Sequence, residues 1–486
     1  MPLLQWGDTR PDTSDYEGQS AHFINNVIPR GDGYGPFPAF SAYTSALPSA
    51  CRGAFYALKY DGTVITFAAT ATKLYKLNNT DFTWTDVSLG SGTYSSVTST
   101  AQWQFAQFGN LVFATQANAL LQVFDLSSAT AFSNCAGSPP QAAYISIVGR
   151  FVVLSGLLSS PYRIQWSGLN ATTTWTSGVN SSDFQDFPDG GIVRGVAGGE
   201  SGIIFQDQAI RRMSYVPGSP IIFQIDRLTQ DKGLYAPYSI IRAGEVIYFY
   251  AGQGFHKIVP GGIPEQIGRE KVDRTFLSDL DKGNLQLFIG AADPRSTRIY
   301  WAYKSVAGQV GAYDSLLGYD PALDRFFPVD MIGEYLLGIS QSGLTLENLD
   351  SISSSLDALT LSLDAYATAV QPEAAQFNSS HVLGFFRGTP LEATLESSEQ
   401  GTDGQRLRVR GFRPVTDAPT VYGSLTYREM TSATPVTSAE VGKSRLVRCD
   451  FNRSTRYVRY RNRIPAGTTW TFTAGVEPDV TTEGAQ

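Results

Sequence analysis

Short apolar runs, each entered through a turn residue, recur six times in the first two thirds of the chain. They are Asp61-Gly62-Thr63-Val64-Ile65-Thr66-Phe67, Gly109-Asn110-Leu111-Val112-Phe113-Ala114 and Gly149-Arg150-Phe151-Val152-Val153-Leu154. Ser201-Gly202-Ile203-Ile204-Phe205, Gly244-Glu245-Val246-Ile247-Tyr248-Phe249 and Ser296-Thr297-Arg298-Ile299-Tyr300-Trp301 continue the series. Their starts lie 48, 40, 52, 43 and 52 residues apart. Strand-like segments precede them (103–108, 143–148, 238–243, 285–292) and follow them (73–77, 120–126, 162–166, 210–215, 255–259, 317–319). A weaker fourth segment, as at 82–87 or 221–228, completes several units.

Four short antiparallel strands in each unit of ~40–50 residues predict propeller blades. One small sheet cannot cover both of its faces, so such sheets stack about a common axis. The central run of each unit is apolar on both faces, as a strand between two neighbouring blades must be. A string of β-sandwich domains is the competing arrangement, but the period is short for it. The expected fold is therefore all-β: a six-bladed β-propeller over 51–335 with an additional sandwich-like β platform over 377–486.

The flanks read differently. Residues 1–50 are rich in Gly and Pro, and 31–38 predict an extended arm lying on another domain or a neighbouring subunit. Residues 336–376 form an acidic excursion, with no Lys or Arg from 340 to 371. Leu-Asp pairs recur there every seven residues, but the serine-rich spacing favours Asx turns over a helix. A solvated loop is the plain reading; Glu347, Asp350, Asp357 and Asp364 are the candidates for a lumen or gate contact.

Composition narrows the function. Of 486 residues, 42% are hydrophobic and 17% charged, enough for large cores and against global disorder. The net charge of −7 argues against general nucleic-acid binding. Three distant cysteines, Cys51, Cys135 and Cys449, suggest buried free thiols rather than disulfides or zinc ligands, and fit assembly in a reducing cytoplasm. There is no secretion signal, and no apolar stretch reaches the ~18 residues of a spanning helix.

One local patch opposes the overall charge. From Arg406 to Arg463 there are 12 Arg and one Lys against four acids, a net +9. Arg406, Arg408 and Arg410 share one strand face, as do Tyr457, Arg459, Arg461 and Arg463, with Arg456 just before them. The patch suits either DNA phosphates or carboxylates on a neighbouring subunit. A sticky basic ring would retard sliding DNA, which favours the protein interface.

Catalytic signatures are missing. His22, His256 and His381 are scattered, and no Walker loop, nucleophile elbow or zinc spacing occurs. The segments 79–84 and 170–175 faintly resemble a sialidase Asp-box, but both lack its glycine, and core filling by Trp84 and Trp175 explains them as well. The glycine-rich 195–202 precedes a strand, not a helix, which disfavours a phosphate cradle. No cofactor or metal is expected.

Several motifs resemble a known family. These are Gln165-Trp166-Ser167-Gly168-Leu169-Asn170 with Thr174-Trp175, Phe184-Gln185-Asp186 and Gly190-Gly191-Ile192-Val193. Ile204-Phe205-Gln206-Asp207, Ile210-Arg211-Arg212-Met213, Gly233 to Ser239, and Phe255-His256 followed by Gly268, Val272-Asp273 and Phe276 extend the match. Together they look like the tail nozzle, or tail tubular B-type, proteins of short-tailed bacteriophages. That resemblance implies a homohexameric ring below portal and adaptor rings, through which double-stranded DNA leaves. Tail fibre, spike or needle proteins would be further partners, and the virion tail the location. A carbohydrate-binding or glycan-hydrolysing propeller acting on the host surface is the alternative, and it predicts an axial pocket with clustered carboxylates and exposed Trp.

Overall fold

The computed structural model describes residues 3–483 except 15, 17, 19, 220 and 341–371. Each of the six apolar runs is the second strand of a four-stranded antiparallel sheet: Val64–Ala69, Leu111–Thr115, Phe151–Leu157, Ser201–Gln206, Val246–Ala251 and Arg298–Tyr303. In three blades a two-residue hairpin leads into that strand. Phe108 pairs with Leu111, Val148 with Phe151 and Ala243 with Val246. The first turn residue is Gly109, Gly149 or Gly244, at φ of 58°, 54° and 60°, the left-handed conformation that this tight turn needs and that glycine adopts without strain.

The second strands serve two seams at once, because successive side chains point to opposite faces. Phe113 packs with Val152 and Leu154 between blades 2 and 3, while Val112 and Ala114 face blade 1. Phe151 and Val153 turn instead to Ile204 and Met213 of blade 4. The clusters step on through Phe205 against Phe249, with centroids 4.9 Å apart, and Phe255 against Trp301, 4.6 Å apart. Six blades do not close the ring. A seventh sheet, ordered Tyr335–Ile339, Glu373–Phe377, Val382–Pro390 and Pro38–Ala46, lies between blades 6 and 1.

That seventh blade redraws the expected boundaries. Its outer strand comes from the supposed N-terminal arm, and its first two strands are taken from the two ends of the supposed 336–376 excursion. Residues 31–38 do lie on other parts of the chain, but as sheet strands: Gly33–Pro36 pairs with Val27–Arg30 in the platform, and Pro38–Ala46 with Val382–Pro390 in the seventh blade. The gate candidates Glu347, Asp350, Asp357 and Asp364 lie outside the described residues.

The platform is a two-sheet sandwich built from both ends of the sequence. One sheet runs Cys449–Thr455, Arg406–Thr416, Thr473–Glu483, Gly33–Pro36, Val27–Arg30. The other runs Val436–Thr437, Tyr422–Arg428, Tyr457–Ile464, Ala393–Glu396, Phe23–Asn25. Trp6, Ile24, Val27, Leu395, Phe412, Tyr460 and Val476 fill the space between them. Asn26 locks the sandwich to blade 6: its N–H donates to the Pro328 carbonyl at 3.1 Å, and its Oδ1 accepts from Asp330 N–H at 2.8 Å.

Candidate functional site

The two arginine strands occupy opposite sheets of the platform. On Arg406–Thr416, Leu407 and Val409 turn into the core, so Arg406, Arg408 and Arg410 face solvent. They meet acids of their own chain. Arg406 lies 2.8 Å from Glu429 and Arg408 3.2 Å from Glu483, while Arg448 bridges Asp450 and Asp479, both at 2.7 Å. Arg410 is exposed and has no ion pair among the described residues. This face is a field of alternating columns of both signs.

On Tyr457–Ile464, Val458, Tyr460 and Ile464 enter the core and the arginines take the other face. That face is not a free surface. Arg459 is 6% exposed and lies 3.8 Å from Glu399, which also pairs with Arg428. Arg461 stands opposite Glu396 across the sheet. Arg463 bridges Glu392 at 3.0 Å and Glu440 at 2.7 Å, with its guanidinium over the Tyr422 ring. Arg456 is half-buried at the turn before the strand. Buried pairs of this kind hold the sheet together, so Arg459 in particular is an internal tie and not a contact for a neighbour.

The motif residues of blades 4 and 5 also turn out to be ties. Gln206 donates to the carbonyls of Asp189 and Gly191, both at 2.8 Å, and accepts from Arg211 Nε at 2.8 Å. Asp207 accepts from Ile192 N–H at 3.0 Å and from Arg194 at 2.6 Å. The Gly190-Gly191 loop thus wraps two side chains that sequence alone would class as polar surface. In blade 5, Asp273 accepts from Phe255 N–H at 3.0 Å and Gln266 Nε2 at 2.8 Å. Its carboxylate fills the space where Gly254 and Gly268 lack a Cβ. Burial pushes its pKa up to about 6.

Neither Asp-box-like segment forms a site. Trp84 donates to the Ser45 carbonyl at 3.1 Å, and Trp175 to the Thr172 carbonyl at 2.9 Å, both as packing residues. Trp84 is half-buried and the other six tryptophans are buried, so the exposed Trp of the carbohydrate alternative is missing from the described surface. All three cysteines are buried and unpaired. No cluster of three metal-ligating side chains exists among the described residues. Between the inner strands only about 210 Å³ remains, bounded by Gln104, Tyr144, Ile145, Ile240, Ile289 and Tyr335. The propeller's own axis is therefore far too narrow for a duplex. A larger cavity of about 780 Å³ shares Tyr144, Pro237 and Tyr238 with it.

No family model matches the chain, and no curated protein matches it. Similar solved structures include the RRP9 WD40 repeats, at 9% identity and a TM-score of 0.37 over 62% of this chain and 89% of that one. The Pan2 WD40 domain of Neurospora crassa gives 7% and 0.37 over 62% and 88%. Dihydro-heme d1 dehydrogenase NirN in complex with DHE gives 13% and 0.37 over 85% and 77%. By its own sheet order, this chain is a β-propeller carrying a β-sandwich platform.

Proposed function

We propose that this chain is a structural subunit of a short-tailed bacteriophage tail, of the nozzle type, assembling as a homohexameric ring through which double-stranded DNA is ejected. The observation that carries the reading is the outer face of the Arg406–Thr416 sheet. It is exposed, ordered by hydrogen bonding, and patterned in both charge signs, which suits docking against another copy about a rotation axis. Arg410 and Arg413, both exposed on that strand and without an ion pair among the described residues, are cations there left for a partner's carboxylates. With about 210 Å³ between the inner strands of one propeller, this reading calls for a conduit formed between subunits. An adaptor ring, a needle or fibre protein and passing DNA are the partners on this reading, in a virion assembled in the host cytoplasm.

Light scattering on the purified chain and negative-stain imaging test it. A ring near 0.3 MDa, six times the 52.8 kDa chain, is expected. A particle that stays at the single-chain mass, even when mixed with the adaptor protein, would overturn it.

A further inference from the structure

The edge strand of a sheet keeps a row of backbone N–H and C=O groups unpaired, and folded proteins keep such edges short or covered. The outer strands of blades 1, 2, 3 and 5 are short: Trp84–Asp86, Ser133–Asn134, Asp183–Asp186 and Glu265–Gln266. Blade 6 ends in Arg325–Gly333, which the platform covers through the bonds of Asn26 to Pro328 and Asp330. The outer strand of blade 7 starts at Pro38 and is tied to blade 1 by Ser45 N–H donating to the Phe82 carbonyl at 2.9 Å. Blade 4 differs. Its outer strand, Phe223–Thr229, runs seven residues and its backbone bonds only Ile210–Tyr215 among the described residues. The platform holds a matching edge. Cys449–Thr455, also seven residues, ends the arginine-bearing sheet, and its backbone bonds only Arg406–Thr416 among the described residues.

The two edges complement each other. Set antiparallel with Asp226 opposite Arg453, they place Leu228 opposite Phe451, Arg227 opposite Asn452 and Thr229 opposite Asp450. An acid meets a base, an apolar side chain meets another, and no like charges face each other. Arg453 is exposed and has no ion pair among the described residues; its guanidinium lies 4.6 Å over the Tyr427 ring. Asp226 reaches Arg212 only at 4.0 Å. The flanks agree with this setting. Just before the platform strand, Arg445, Leu446 and Val447 form an exposed tip, with Leu446 77% exposed. Just after the blade 4 strand, residues 227–232 line a cavity of about 420 Å³ with Ile263, which is 66% exposed. Antiparallel pairing carries the tip towards that cavity, where Leu446 meets Ile263 and Arg445 the exposed carboxylate of Asp231.

We propose that Phe223–Thr229 of one copy pairs antiparallel with Cys449–Thr455 of the next, joining blade 4 and the arginine-bearing sheet into one continuous sheet across the subunit contact. The two strands belong to separate sheets within a chain, so the pairing joins two copies. Two different edges meet, which makes the contact head to tail and lets it close a ring. The inference rests on the ring reading and supplies the contact that builds the ring.

Mass photometry of the full chain over a dilution series tests it. Asp226→Arg and Arg453→Asp should each raise the concentration at which the ring half dissociates by about tenfold or more, and the double variant D226R/R453D should return it to within about threefold of the parent. Melting curves of the same samples report folding; where a reversal lowers the melting temperature, Asp226→Asn and Arg453→Gln carry the test, with a smaller shift in the same direction. A parent ring that none of these changes weakens, or a double variant no tighter than the single reversals, would overturn the strand pairing and leave the ring reading standing. A parent chain that stays single overturns both.

Discussion

Trp84 donates its indole N–H to the carbonyl of Ser45 at 3.1 Å, tying the outer edge of the first blade to the strand that completes the last. Its ring also lies 5.8 Å from that of Phe377 in the seventh blade. This seam is where the ring closes, so local losses there act on the whole disc. Trp84→Phe should cost about 1 kcal/mol through the lost hydrogen bond. Trp84→Ala should cost roughly 2–3 kcal/mol, less than a fully buried Trp because the side chain is half-exposed. Urea unfolding monitored by circular dichroism checks both, and equal effects would show that the hydrogen bond, not the packing of the ring, closes the seam.

Asp273 gives the propeller a definite pH response. Its folded pKa of about 6 exceeds the reference 3.8, so the folded state holds the proton more tightly than the unfolded one. Its stabilising contribution is full below about pH 4 and is lost as pH rises through about 6. Asp273→Asn keeps the shape and does not titrate. The variant should melt above the parent at pH 8, and the gap should shrink as pH falls towards 4. Paired melting curves across that range decide it, and a gap independent of pH would refute the buried-carboxyl account.

Gly268 and Asp273 should be coupled. A methyl at Gly268 would overlap Oδ1 of Asp273. Gly268→Ala is expected to cost about 1–3 kcal/mol in the parent by overpacking. In an Asp273→Ala background the space is free, and the same change should cost far less. A double-mutant cycle from denaturation midpoints measures this directly.

The two arginine strands should separate under mutation. Glu399 is 2% exposed and serves both Arg428 and Arg459, so Glu399→Ala takes a buried carboxylate from two guanidinium groups and should cost about 3–5 kcal/mol. The triple change R406Q/R408Q/R410Q removes exposed pairs on the solvent face without setting like charges together, and should leave the melting temperature nearly unchanged. On the ring reading it should nonetheless abolish the large particle. Thermal melts and light scattering on the same samples distinguish the two effects.

Much of the propeller was legible because six blades are contiguous in sequence and their second strands are apolar on both faces. The seventh was hidden. Its strands come from positions near 40, 337, 375 and 386, and Pro38–Ala46 carries only Phe40, Tyr43 and small residues, too weak an apolar signal to mark a strand. The basic patch was only partly legible for a related reason. Its net charge of +9 counts only 406–463, whereas Glu392, Glu399, Asp479 and Glu483 enter from outside that window. Gln206, Asp207 and Asp273 were visible as motif residues, but the glycines that cradle them become meaningful only once the loops are folded.

Leu4 pairs with Val476, and Ala42 with Gly384. These two strands therefore leave the ribosome long before their partners. Blades 1 to 6 can stack as they are made, but residues 4–46 must wait for residues 373–483. A chain that stops before residue 373 thus has neither a sealed disc nor a platform to present.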